Sequence, residues 1–141
     1  MLIQQGYLFY DSKRAVSAYE LQRLYRFTSW GKGRSIDQIE KMLEETSLCF
    51  SVYHEGSLVA FCRIITDFVF RGSLWDIMVH PDHQGKGVGS ALIDYALGHP
   101  AVKDIPLILT YTTELGGFLD QYGFKQEENT LMLLRCPLEF S

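Results

Sequence analysis

The stretch from Leu74 to Gly98, LWDIMVHPDHQGKGVGSALIDYALG, restricts the fold more than any other part of the chain. Its apolar run, Leu74 to Val79, reads as a buried strand. Pro81 ends that strand, because proline has no N–H to offer a ladder. A glycine-rich loop follows, Gln84-Gly85-Lys86-Gly87-Val88-Gly89-Ser90, and then Ala91, Leu92, Tyr95 and Ala96 recur at helical spacing. The order is strand, glycine loop, helix start. A first helical turn leaves N–H groups unpaired and carries the positive end of the helix dipole. Glycines let a phosphate reach those N–H groups without meeting a Cβ.

The spacing excludes two common phosphate loops. The P-loop needs four residues between its first glycine and a Gly-Lys pair, and the dinucleotide fingerprint needs a third glycine where Ser90 stands. What is present is Gln-x-x-Gly-x-Gly, Gln84 to Gly89, after the strand Ile77-Met78-Val79-His80-Pro81. In this setting the motif resembles that of the GNAT superfamily of acyl-CoA-dependent N-acyltransferases, and the resemblance runs from about Tyr19 to Phe124. Trp30-x-x-x-Arg34-Ser35 and Arg63-x-x-x-Asp67 resemble elements of a branch of small bacterial-type members.

Composition agrees with one compact unit. At 141 residues the chain is read as a single domain, 1–141, with room for a core. A net charge of −4 argues against a general nucleic-acid surface. No apolar run approaches the roughly 20 residues that span a bilayer. MLIQQGYLFY lacks the basic start of a signal peptide, so a cytoplasmic protein is expected. Cys49, Cys62 and Cys136 are odd in number, lack Cys-x-x-Cys spacing and sit in apolar runs, which suits buried free thiols.

Patterning along the chain places the other elements. Leu2 to Tyr10 reads as a strand, and Val16 to about Arg26 as a helix. The segment 27–34 is a glycine-punctuated loop. Ser35 and Gln38 form a capping-box pattern that opens a second helix, ending near Thr46. Strands Leu48 to Tyr53 and Leu58 to Thr66 flank a turn at Glu55-Gly56. His99-Pro100 stops the third helix. Ile105 to Tyr111 is a strand, and Leu115 to Tyr122 a short helix with Gly123 as its C-terminal glycine. Phe124 to Gln126 and Leu131 to Cys136 read as a final hairpin across Glu128-Asn129. The sum is an α+β fold, with a mixed, mostly antiparallel sheet of six to seven strands and about four helices on both faces, as the resemblance also implies.

The resemblance further implies acetyl-CoA as cofactor and transfer of its acetyl group to a primary amine of a small molecule or peptide. The Gln84–Ser90 backbone would cradle the pyrophosphate, with Lys86 in reach of a phosphate or simply solvated. Backbone groups of Ile77, Met78 and Val79 would bond the pantetheine arm like an added strand. The Ile77 N–H is the expected donor to the thioester oxygen. Leu109 to Thr112 would form the facing wall. Asp76 is the best-placed carboxylate, as base through a water or as anchor for a cationic substrate. Glu114 is the second, unless it only serves the short helix by its charge.

Family members often assist thiolate departure with a tyrosine in the pattern Phe-Tyr-x-x-x-Gly-Phe. Here Leu119 holds that position, leaving Tyr111, Tyr122 or water, or else a non-catalytic acyl-CoA-binding module or sensor. For the acceptor side, Trp30, Lys32, Arg34, Arg63, Asp67 and Phe70 are candidates. Asp67 with Asp76 would suit an amine, and Arg34 a carboxylate on the same molecule. His80-x-x-His83 has no third ligand nearby in sequence, so no metal is expected. A homodimer through the C-terminal strands is common in the family.

Overall fold

In the computed structural model, residues 2–112, 115–127 and 132–134 are described. Five strands form one sheet in the order β1-β2-β3-β4-β5, namely β1 (Tyr7–Tyr10), β2 (Leu48–His54), β3 (Ser57–Thr66), β4 (Arg71–Val79) and β5 (Leu107–Thr110). The first four pair antiparallel, and β4 pairs parallel with β5. Four helices accompany them, α1 (Ala18–Tyr25), α2 (Ile36–Glu45), α3 (Val88–Leu97) and α4 (Gly116–Leu119). The fold class is therefore as expected, with fewer strands than six to seven among the described residues. Phe124 to Gln126 and residues 132–134 carry no strand, and the rest of the expected hairpin, with Glu128, Asn129, Leu131, Arg135 and Cys136, lies outside the described residues.

Local chemistry accounts for the boundaries. The Ser35 hydroxyl accepts the Gln38 N–H at 3.2 Å and the Gln38 side chain accepts the Ser35 N–H at 2.9 Å, the reciprocal box that starts α2. Glu55 and Gly56 take positive φ, 51° and 81°, which matches the right-handed twist of the β2–β3 hairpin. The opening strand is shorter than its apolar pattern suggests, because Ile3–Gln5 wind into a 3₁₀ turn closed by Gly6 at φ 89°. The short C-terminal helix likewise tightens to 3₁₀ over Asp120–Tyr122 and ends on Gly123 at φ 90°.

Each sheet face buries its own cluster. Phe50, Val52, Cys62, Ile64 and Leu74 pack under α3, through Val88, Leu92, Ile93 and Ala96. Cys49, Phe61 and Met78 pack on the other face under α1 and α2, through Leu21, Leu24, Tyr25, Ile39 and Leu43. The protein is thus a three-layer sandwich with β3 and β4 at its centre.

Candidate active site

Two departures from regular pairing shape β4. Phe61 faces Met78 while Arg63 faces Trp75, so Cys62 opposes both Asp76 and Ile77. That extra residue is a β-bulge. Asp76 sits in it at φ 54°, the left-handed region that aspartate tolerates better than most residues. On the other edge, the β4–β5 ladder runs from Arg71 opposite Leu107 to Leu74 opposite Thr110. The Thr110 hydroxyl donates to the Leu74 carbonyl at 2.8 Å and closes the ladder there. β4 continues through Trp75–Val79 for about 16 Å at roughly 3.3 Å per residue, with no strand paired on that side among the described residues. His80 N–H bonds the Val59 carbonyl at 2.7 Å, so by two-residue alternation the Val79 and Ile77 N–H groups point away from β3, into the parting.

The open edge leads to the glycine loop. Gly85 and Gly87 have φ 75° and 84°, and an added Cβ at either would project into open space. Gly87 is the N-cap of α3 and supplies no side-chain cap, while the first helical bond runs from Ala91 N–H to the Gly87 carbonyl. The N–H groups of Val88, Gly89 and Ser90 therefore have no intrahelical acceptor. Gly89 serves packing, since a Cβ there would stand 3.3 Å from Val79 Cγ2. Gln84 braces the loop by donating its amide N–H to the Val79 carbonyl at 3.0 Å. Lys86 is exposed. Tyr122 reaches the same helix start, where its hydroxyl hydrogen-bonds that of Ser90. Leu119 is buried. Thr112 accepts the Leu115 N–H at 3.0 Å, and Tyr111 is on the surface at the end of β5.

On the opposite face the bulge aims Asp76 at three donors. Asp76 Oδ2 accepts from Tyr25 Oη at 2.7 Å, Arg34 Nη1 at 2.8 Å and Arg63 Nε at 2.7 Å. Burial alone would raise this carboxyl, but the Arg63 and Arg34 guanidiniums and the Arg63 and Tyr25 hydrogen bonds outweigh it and hold it below the usual range. Tyr25 moves the other way, its phenol driven far up by burial and by the Asp76 charge. Arg34 lies against the Tyr25 and Trp30 rings, 4.6 and 5.2 Å from their centres. Arg63 also donates through Nη1 to Thr46 Oγ1 at 3.2 Å. The loop carrying Trp30 and Arg34 closes over Tyr25 because residue 31 is glycine, and a Cβ there would meet the Tyr25 ring at 2.6 Å. Beside this knot lies an open cleft of about 210 Å³ lined by Arg34, Gln38, Ile39, Met42 and Arg63.

The candidates named from sequence thus fall into groups. Asp76, Arg34 and Trp30 come together with Arg63. Asp67 does not join them. It lies at the β3–β4 turn, where its Oδ1 accepts the N–H groups of Val69, Phe70 and Arg71, bonds that hold its carboxyl below the ordinary value. Phe70 is exposed in that turn. Glu114 lies outside the described residues. Tyr25 and the cleft residues Gln38, Ile39 and Met42 read from sequence only as helix or cap positions, not as site residues. Tyr25 recurs at helical spacing like any core residue, and no local pattern marks its hydroxyl. His83 meets His80 edge-on and lies against His54 and Tyr7, with Tyr7 Oη 2.7 Å from His83 Nδ1.

A sheet that forks beside an uncapped, glycine-led helix defines the N-acetyltransferase class of α+β folds. The sequence profile of the Acetyltransferase (GNAT) family matches residues 15–110, and the chain belongs to that family. The chain is similar to an uncharacterized N-acetyltransferase, ycf52, of Pyropia yezoensis, with 26% identity over 130 residues covering 84% of this chain and 74% of the relative. Among solved structures, a GNAT-family protein from Xanthomonas campestris pv. campestris superposes with a TM-score of 0.84 at 25% identity over 94% of both chains. A GNAT-family acetyltransferase from Streptococcus pneumoniae shares the fold, with a TM-score of 0.78 at 21% identity over 93% of this chain and 98% of its own. No helix among the described residues is long and apolar enough to cross a membrane.

Proposed function

We propose that this protein transfers acetyl from acetyl-CoA to a primary amine of a small molecule or peptide, by direct attack of the amine. The observation that carries this reading is the parting of β4 from β5 after Leu74, in line with the bare N–H groups of α3. The site fits coenzyme A in two respects: open space over Gly85 and Gly87 where side chains would block an anion, and strand edge that offers the Ile77 and Val79 amides to an extended ligand.

When bound, acetyl-CoA would supply the acetyl group as a thioester. The loop amides from Gly85 to Ser90, with Lys86, would hold its phosphates. The β4 edge, Ile77, Met78 and Val79, would hold its arm against the β5 side, ending at Thr112. The Ile77 N–H would polarise the carbonyl, a contribution of about 3 kcal/mol for a preorganised donor. Tyr122 is assigned the proton for the departing sulfur, because its hydroxyl already stands at Ser90 on the first turn of α3. Tyr111 is the reserve for that role.

Asp76 acts as a clamp rather than a base. Three donors share its Oδ2, and its lowered pKa makes it a weak acceptor for an ammonium proton. Glu114 or solvent takes that proton. An acyl-enzyme is unfavourable at the described thiols. Cys49 and Cys62 are fully buried, and burial pushes the Cys49 thiol to about 11 and Cys62 higher still.

The direct trial mixes the protein with acetyl-CoA and a broad amine panel and follows free thiol. Thiol release matched by acetylated amine is expected. Tight acetyl-CoA binding by calorimetry with no release on any amine would instead favour a binding module, in keeping with Leu119 at the tyrosine position.

A further inference from the structure

We propose that the cleft between α2 and β3 binds an anionic group of the acceptor, so that the acceptor is a primary amine that also carries a carboxylate or phosphate. This rests on the acetyl-transfer reading and narrows its substrate class.

Charge at the cleft does not balance. Arg34 and Arg63 bring two permanent positive charges, and among the described residues the carboxylate bonded to them is Asp76 alone. Both bonds go to the same oxygen, Oδ2. A guanidinium carries five N–H donors. In bonds to described acceptors Arg34 uses one nitrogen, and Arg63 uses two, on Asp76 and Thr46. Donors are left over on both, and both side chains line the cleft.

The remaining walls add no negative charge among the described residues. Ile39 and Met42 are apolar, and Gln38 spends its amide oxygen on the Ser35 N–H, which leaves its NH₂ donors. A cleft furnished with donors and a surplus cation repels a polyamine and favours an anion. The guanidiniums are also preorganised, since Arg34 is stacked on Tyr25 and Trp30 and Arg63 is tied to Thr46. Little side-chain freedom remains to be lost when they take up a ligand. Asp76 adjoins Ile77 in the bulge, so the anion-binding end of the cleft neighbours the amide assigned to the thioester.

Matched acceptor pairs test this. One arm compares α-amino acids with their carboxamides, and the other compares O-phosphoethanolamine with ethanolamine, by kcat/KM for acetyl transfer. The anionic member is expected to lead by tenfold or more in at least one arm, and the leading arm identifies carboxylate or phosphate. Met42→Glu, which places a carboxylate in the cleft without touching the Asp76 bonds, should lower that ratio by tenfold or more. Equal or better transfer to the neutral members in both arms overturns the inference while leaving acetyl transfer standing. If no amine is acetylated, calorimetric titration of the CoA-loaded protein with the same compounds decides. Binding of an anionic member that weakens in Met42→Glu supports the anion site although the enzyme reading has failed, and no binding of either anionic member overturns it.

Discussion

Replacement of Asp76 tests whether one carboxylate holds the bulge at the centre of the site. Asp76→Ala leaves the Tyr25 hydroxyl and two part-buried guanidiniums without their shared acceptor. Removal of one partner of a buried ion pair costs about 3–5 kcal/mol. Alanine at φ 54° adds roughly 1–2 kcal/mol of backbone strain. The sum, about 4–7 kcal/mol, is comparable with the whole stability of an ordinary domain, about 5–15 kcal/mol. Asp76→Asn keeps the shape, the tolerance for left-handed backbone and one acceptor oxygen. It leaves both guanidinium donors charged but removes the negative charge from all three bonds, at about 1 kcal/mol each, or about 2–3 kcal/mol after the smaller desolvation of an amide. Urea unfolding followed by the fluorescence of Trp30 and Trp75 reads both. With a slope of about 2 kcal/mol per molar, Asp76→Asn should lower the midpoint by about 1–1.5 M, and Asp76→Ala by more.

The pH dependence adds a signed check. The folded Asp76 pKa lies below its unfolded value of about 3.9, so its stabilisation is full above that pH and fades as pH falls through the folded value. The gap between the native protein and Asp76→Asn should accordingly be constant near neutrality and shrink below about pH 4. Superimposable urea curves for the native protein and Asp76→Asn at pH 7 would refute the clamp, as would an Asp76→Ala no worse than Asp76→Asn.

Three further outcomes are expected. Gly87→Ala, at φ 84° with open space around it, should cost about 1 kcal/mol of stability through strain and weaken acetyl-CoA binding tenfold or more by calorimetry. Unchanged affinity would remove the cradle. Tyr122→Phe should lower kcat by about 100-fold or more while the acetyl-CoA dissociation constant moves little, and a kcat equal to that of the native protein would remove Tyr122 as proton donor. A thiol reagent at pH 8 should leave Cys49 and Cys62 unmodified in the native protein and label them in urea, read by peptide mass, because burial both shields these thiols and raises their pKa.

Much of the fold was legible because it is written in local chemistry. The capping box of α2, the Glu55-Gly56 hairpin and the Gly123 helix end each depend on residues within four positions of one another. The same holds for the glycine loop, whose positive φ values and bare helix start need only Gln84 to Ser90. In sequence Arg63 is one candidate among several, and Asp67 stands with it on the acceptor side. The structure separates them, because β3 carries Asp67 about 13 Å further along, at roughly 3.3 Å per residue, to the turn it stabilises. The role of Tyr25 is not legible in sequence, as its periodicity fits the α1 core equally well whether or not its hydroxyl has a partner.

Residue order is enough to place an apolar strand, a glycine loop and a helix start one after another from Leu74 onward, and hence to present backbone N–H groups to an anion. Where Asp76 points was a tertiary decision. Strict alternation from Leu74 would carry residues 76 and 78 onto the face beneath α3, yet Met78 packs under α1 and α2 and Ile77 packs beneath α3. One extra residue opposite Cys62 shifts the phase, and it turns Asp76 from an apolar core to two arginines and a tyrosine drawn from three other parts of the chain. Alternation is a property of a single strand, whereas a bulge is settled between two strands and by the partners waiting on each face, and only the folded chain brings those partners together.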